Sequence, residues 1–303
     1  MKLEELTNKL DTYFNTHAFD ESEGWDFAMD DSYKSSFKRF ARDQFVEGSW
    51  NGLMLENTGK NGEVDRVYLM VFPTEDIIDT IIAQEVERDA PGSMIFSHHP
   101  VGFSEKSMEF PPMSVEQLEE LREHNISYYN CHAPLDCHVK TSTANALADA
   151  LGLTEQKRFA SYYGGYAGIH GKVSPMPFQK FAERVASACE LETLRYDQVR
   201  HNGRMVEHVA LIPGGGDGPD ELTEAASLGA DTYVTGHWWL FGDSDFAKQR
   251  RNDARPVIDS LSMNLVAGSH YSTEVIVMRD LMPDYFQDMG LETVLLRQQD
   301  PWG

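Results

Sequence analysis

Three stretches of the chain carry residue types that bind metal ions. His98 and His99 are adjacent in MIFSHHPVGF, residues 94–103. His132 and Asp136 stand four apart in CHAPLDCH, residues 131–138, and His270 and Glu274 stand four apart in GSHYSTE, residues 268–274. Imidazole nitrogens and carboxylate oxygens without thiolates suit zinc, iron, manganese or cobalt in a centre of catalytic type better than a closed structural zinc site. Six donors, two of them acids, exceed the demand of one four-coordinate ion, so about two divalent ions per chain are expected. Such a pair lowers the pKa of bound water to about 7 and clamps a leaving oxygen. Each pair also has a plainer reading. One imidazole of the HH pair packs in the core while the other faces solvent; His132 only orients Asp136; Glu274 only favours the positive end of a helix. One such pair at a strand end is unremarkable, but three are harder to assign to chance.

The elements that must position these residues are read from apolar periodicity. RVYLMVF, residues 66–72, is a continuous apolar run suited to a strand covered on both faces. Ile77, Ile78, Ile81, Ile82 and Val86 then recur at helical spacing, and MIFS, 94–97, is a second strand. This βαβ unit has a right-handed crossover, so its strands are parallel, and His98 and His99 fall just past a strand's carboxyl end, where open α/β sheets place their ligands. Ser114 and Gln117 form a capping box for a helix carrying Leu118 and Leu121. NISYYN, 125–130, is a third strand leading into the 131–138 loop, where Pro134 argues against a regular helix; a helix over 142–151 stops at Gly152. From residue 155 the texture changes. SYYGGYAGIHGKV reads as a glycine-interrupted strand and 177–190 as an amphipathic helix. Residues 208–239 form another βαβ unit, whose GGG turn lacks the Lys and Ser/Thr of a phosphate-binding loop. Residues 265–281 read as a strand, His270, and a helix with Glu274 in its first turn.

The chain has 303 residues, above the usual single-domain size, so two α/β domains or one with an insertion are expected. We expect residues 1–153 with 255–303 to form a discontinuous metal-binding domain and 154–254 a second one. Lys and Arg number 26 against 49 acids, a net charge of −23, which repels phosphate backbones and anionic membranes. Direct nucleic-acid binding is disfavoured, and a small-molecule substrate is the expected partner. Cys131, Cys137 and Cys189 make an odd count without a CxxC pair and read as reduced thiols, although Cys131 and Cys137 flank the metal loop. No stretch has the apolar length to cross a bilayer, and MKLEELTNKLDTYF reads as an acidic amphipathic helix rather than a signal peptide, so the expected compartment is the cytoplasm. His237, with Trp238 and Trp239, could line a pocket, though aromatic residues after a strand are more often core. His124, His138, His170, His201 and His208 lack a partner pattern and read as ordinary.

The order SHHP, then HxxxD in a short loop, then TG after a GGG turn, then GSHYSTE resembles the Nif-three-like dinuclear metal-centre family, some of whose members are GTP cyclohydrolase type 2-like. The resemblance covers most of the chain from about residue 50 onward. It implies two interlinked α/β domains with mixed, largely parallel sheets, toroidal homo-hexamers with metal sites facing an internal cavity, and a two-metal centre. Carried over by position, its ligands are His98, His99, Asp136, His270 and Glu274, with His132 matching the histidine that opens the loop motif. The chain departs from the family where an acid usually stands before Thr74, having Phe72 and Pro73 instead, and where TGE or TGD is common, having TGH at 235–237. The resulting expectation is a metal-dependent hydrolase cleaving a C–N or P–O bond of a small, nucleotide-like substrate. The alternatives are a non-catalytic metal store, chaperone or adaptor assembly, and a phosphoesterase of another two-metal type, which Ser97 disfavours because an Asp normally precedes such a histidine pair.

Overall fold

The structure, a computed structural model, describes residues 1–21, 31–42, 45, 50–59, 62–88, 92–199, 203–236, 245–299 and 302. Its strands are β1 (Gly52–Leu55), β2 (Arg66–Met70), β3 (Ser93–Ser97), β4 (Ile126–Asn130), β5 (Thr154–Tyr162), β6 (Gly165–Met176), β7 (Arg195–Gln198), β8 (Val206–Ile212), β9 (Thr232–Thr235), β10 (Asn264–Ala267) and β11 (Glu292–Leu295). Its helices are α1 (Leu3–Phe14), α2 (Asp31–Phe37), α3 (Glu75–Val86), α4 (Val115–Glu123), α5 (Ala133–Cys137), α6 (Thr143–Ala150), α7 (Phe178–Ala188), α8 (Pro219–Ser227), α9 (Asp245–Ser260), α10 (His270–Asp280) and α11 (Met282–Gln287).

Two compact units divide the chain. The first comprises Met1–Phe103, Phe110–His138 and Met278–Gln298; the second comprises Ser104–Glu109, Val139–Val277 and Gln299–Gly303. These bounds differ from the expected 154–254 insertion. Helix α6 packs on β6, and β10 is hydrogen-bonded between β9 and β7, so residues 139–153 and 255–277 belong with the second unit.

The first unit holds a sheet of order β1–β4–β3–β2–β11, parallel except for the edge pairing of β1 with β4. The apolar runs of β2, β3 and β4 are buried over nearly their whole lengths, as parallel strands covered on both faces require. Helix α3 buries Ile77, Ile78, Ile81 and Ile82, each contributing about 1.5–3 kcal/mol when fully withdrawn from water. Helix α4 starts at the capping box read from the sequence: Ser114 Oγ accepts from Gln117 N at 3.1 Å and Gln117 Oε1 accepts from Ser114 N at 3.1 Å. The result is a fully buried central strand, β3, whose carboxyl end leads directly into His98 and His99.

The second unit holds a six-stranded sheet of order β5–β6–β8–β9–β10–β7, in which β8, β9 and β10 are parallel and the remaining pairings antiparallel. The glycine-interrupted strand is a hairpin. Tyr163 and Gly164, both at positive φ, make the two-residue turn between β5 and β6. Phe159, Ala210, Leu222, Tyr233 and Leu265 form part of the core between sheet and helices. Among the described residues no helix is long and apolar enough to cross a membrane, and the three cysteines are buried free thiols.

Candidate metal centre

In the first unit the HH pair continues the β2–β3 ladder past the end of β3. His98 N donates to Met70 O at 3.2 Å and His99 N to Val71 O at 2.9 Å. Both residues are buried, which removes the reading in which one ring faces solvent. The Nδ1 of His98 lies 3.0 Å from Cys131 O; a carbonyl only accepts, so Nδ1 carries the hydrogen and the neutral ring presents its lone pair at Nε2. That Nε2 is 3.4 Å from Asp136 Oδ1. Two donors each about 2.1 Å from one ion at a tetrahedral angle lie roughly 3.4 Å apart, so this spacing suits a shared ion. The ring of His99 stacks on Phe72 at 4.3 Å between centroids, so Phe72 acts as an apolar plate under the imidazole.

His132 opens α5, a short helix that does form because Pro134 sits in its first turn, where no backbone N–H is needed. The i, i+4 relation to Asp136 is thereby real: Asp136 N donates to His132 O at 3.1 Å. Sequence reasoning missed the partner of this imidazole. Glu21 Oε1 lies 2.6 Å from His132 Nδ1, while Glu21 Oε2 accepts from Asn51 Nδ2 at 2.5 Å and from Ala133 N at 3.1 Å. Burial alone would push the Glu21 carboxyl up, but the His132 ring and these donors outweigh it and hold its pKa below the ordinary value. An ionised, buried carboxylate thus fixes the Nδ1–H tautomer of His132 and leaves Nε2 for a cation, the outer arrangement that metal-bound histidines commonly have. No spacing signal links residues 111 apart. The candidate ligand nitrogens of His98, His99 and His132 lie within 4.8 Å of one another.

In the second unit β10 ends at Ala267, and Ser269, at φ +62°, turns the chain into α10. Ser269 Oγ accepts from Ser272 N at 3.0 Å and so caps the helix. Because α10 begins at His270, Glu274 lies in its second turn, not its first, where the macrodipole has largely faded. Its carboxylate is placed by the i, i+4 relation instead, with Oε1 3.2 Å from His270 Nε2. The GGG turn serves this pair. Gly214 has φ +65°, and a Cβ there would fall 2.1 Å from Glu274 Oε1 and 2.9 Å from His270 Nε2. Gly236 of the TG motif is equally confined, since a Cβ would meet Thr273 Oγ1 at 2.2 Å and Ser269 O at 2.6 Å. A second carboxyl went unforeseen: Glu105, 5% exposed, accepts from His270 N through Oε2 at 3.2 Å. Burial raises its pKa to about 8, aided by Asp217 and Glu274 and opposed by the His270 N–H and Arg195.

Nitrogen and oxygen donors at ligand-pair spacing, and a glycine cradle against one pair, fit a divalent cation. His237, Trp238 and Trp239, with His201, lie outside the described residues. The class so defined is an α/β protein with two mixed sheets, each leading from a parallel strand into histidine and carboxylate groups suited to metal. The chain belongs to the Duf34/NIF3 (NGG1p interacting factor 3) family, whose model matches residues 33–301. It is 26% identical over 255 residues to a Pyrococcus horikoshii protein named GTP cyclohydrolase 1 type 2 homolog, covering 83% of this chain and 90% of that one. A Treponema pallidum protein of the same name is 25% identical over 295 residues, covering 88% and 96%. The solved structure of protein ybgI, of unknown function, superposes with a TM-score of 0.68 at 20% identity over 99% of this chain and 100% of that one, a likeness of fold.

Proposed function

We propose that the protein is a divalent-metal-dependent hydrolase with a dinuclear centre, its ligands drawn from His98, His99, His132, Asp136, His270 and Glu274, and that its substrate is small and nucleotide-like, as the name GTP cyclohydrolase 1 type 2 homolog of its relatives suggests. The observation that carries the reading is the packing of three imidazoles with ligand nitrogens within 4.8 Å, two of the rings having Nδ1 tied to an oxygen acceptor. Divalent ions held there would supply Lewis acidity to a water and to the substrate's leaving atom. The chain's own part is to present Nε2 of His98 and His132, to place the anionic charge of Asp136 and Glu274, and to keep the donors from turning through Cys131 O, Glu21 and Phe72. A homo-hexamer in the cytoplasm completes the proposal.

The test is elemental analysis of the purified protein together with a metabolite screen in which Mn, Fe, Co and Zn are supplied separately. About two ions per chain, and turnover that chelation abolishes, are expected. Tight metal without turnover across the panel would instead favour a metal-binding or regulatory assembly. Light scattering that reports a monomer at both low and high salt would remove the hexamer.

A further inference from the structure

The second unit carries a group of basic side chains that the proposed metal chemistry does not use. On adjacent strands of its sheet Lys157 stands directly opposite His170, and Lys172 directly opposite His208. His170 and Lys172 are two apart on β6 and so share a face, which makes the four residues one compact block across β5, β6 and β8. Strands lie about 4.8 Å apart and alternate residues about 6.7 Å apart, so the two lysines are rooted about 8 Å apart on one face, a span that their long side chains can close around one tetrahedral anion. The lysines are exposed and the imidazoles half-buried. Neither lysine has an ion-pair partner among the described residues. The uncompensated charge of two ammonium groups on neighbouring strands is unfavourable, and it occurs here in a chain with 49 acids.

The hydrogen bonding of the two rings defines how the block responds to an anion. His208 Nδ1 lies 3.0 Å from Gly229 O and therefore carries a hydrogen. Its Nε2 then accepts from His170 Nδ1 at 2.9 Å, and the Nε2 of a neutral His170 is left as the site for one more proton. The charged groups facing the rings are Lys157 and Lys172, with Glu224 and Asp231 on the other side of the balance. Those acids are already engaged: Glu224 Oε2 accepts from Ala160 N, and Asp231 Oδ2 from Glu207 N and His208 N. Burial first, then for His170 the His208 ring, and for both the two lysines, hold the imidazoles below their ordinary pKa, so at neutral pH the block consists of two ammonium groups and a neutral relay.

We propose that Lys157, His170, Lys172 and His208 form a binding site for a tetrahedral dianion, a phosphate group either free or carried by a small molecule, with His170 taking up a proton when the anion binds. The dianion replaces the missing carboxylate partners of the lysines, and the imidazolium formed at His170 adds a donor toward it. A cation is disfavoured at the same place by the two ammonium groups. The site is independent of the metal-centre reading.

The experiment is equilibrium dialysis of radiolabelled sulfate, whose charge is constant across the range, against the full-length protein at low ionic strength, at pH 6 and pH 8, before and after chelation of metal. Saturable binding near one sulfate per chain is expected, tighter at pH 6 than at pH 8 by several-fold and unchanged by chelation. The Lys157→Ala/Lys172→Ala double variant, whose changes are at exposed positions, should bind at least tenfold more weakly, and His170→Gln should lose the pH dependence while keeping residual binding. Competition by inorganic phosphate and by glycerol phosphate ranks free against esterified anion, and displacement by either supports the site. Sulfate binding equal in wild type and the double variant, or no saturable binding at pH 6, would overturn the proposal.

Discussion

In the first unit His98 and His132 each give their Nδ1 hydrogen to an oxygen, of Cys131 and of Glu21, and Asp136 stands 3.4 Å from the buried Nε2 of His98. In the second unit His170 and His208 bond to each other and face two lysines. The side chain is the same in both places and the surroundings are of opposite sign. Carboxylates and carbonyls around an imidazole hold its hydrogen on one nitrogen and invite a cation at the other. Ammonium groups around it discourage cations and leave room for an anion with a proton. What a histidine cluster binds is thus decided by the groups around its rings, and counting histidines in a sequence does not reveal it.

Substitutions can separate the two clusters. The largest effect is expected for His99→Ala and Asp136→Ala, which should each cut metal content from about two ions per chain to one or none without unfolding the protein; full occupancy by elemental analysis in both would remove the assignment. Next comes Glu21→Gln, which keeps the volume but cannot hold the Nδ1–H of His132 as an anion does. Metal titration should show roughly a 10- to 100-fold weaker affinity with an unchanged circular dichroism spectrum, and an unchanged affinity would reduce Glu21 to a structural contact. A smaller effect concerns Glu105. Its folded pKa of about 8 lies above that of the unfolded chain, so the native state binds more protons and the metal-free protein loses stability as pH rises from about 4.5 through 8. Glu105→Gln should therefore remove that loss, and denaturant unfolding of the metal-free pair should diverge with rising pH; parallel curves would contradict it. The smallest effect is expected for His170→Gln. It forfeits one half-buried hydrogen bond, about 1 kcal/mol, and should leave metal content untouched.

Much of this architecture could be read beforehand because it rests on local regularities. The βαβ unit from Arg66 to Ser97, the Ser114 capping box and the stop of α6 before Gly152 follow from periodicity and caps within a dozen residues. The failures have physical reasons too. Pro134 argues against a regular helix in the sequence, but it stands in the first turn of α5, where its missing N–H costs nothing. The sequence pattern places Glu274 in a first turn because the sharp bend at Ser269, which starts the helix at His270, has no sequence mark beyond a serine. Glu21 and Glu105 reach His132 and His270 across 111 and 165 residues, and no spacing rule spans such a separation. His170 and His208 looked unremarkable for the same reason: their pairing is created by the register of β6 on β8.

The residue whose carbonyl steadies His98 is a cysteine, and its thiol has a consequence of its own. Cys131 is fully buried, and burial together with the negative charge of Asp136, Glu21 and Asp11 pushes its pKa well above the ordinary value. It stays protonated, so it is a poor nucleophile toward peroxides and a poor ligand for thiophilic ions such as copper(I) or cadmium. Burial chiefly, with the carboxylates that would favour a hard cation beside it, thereby disfavours the thiolate that oxidants attack.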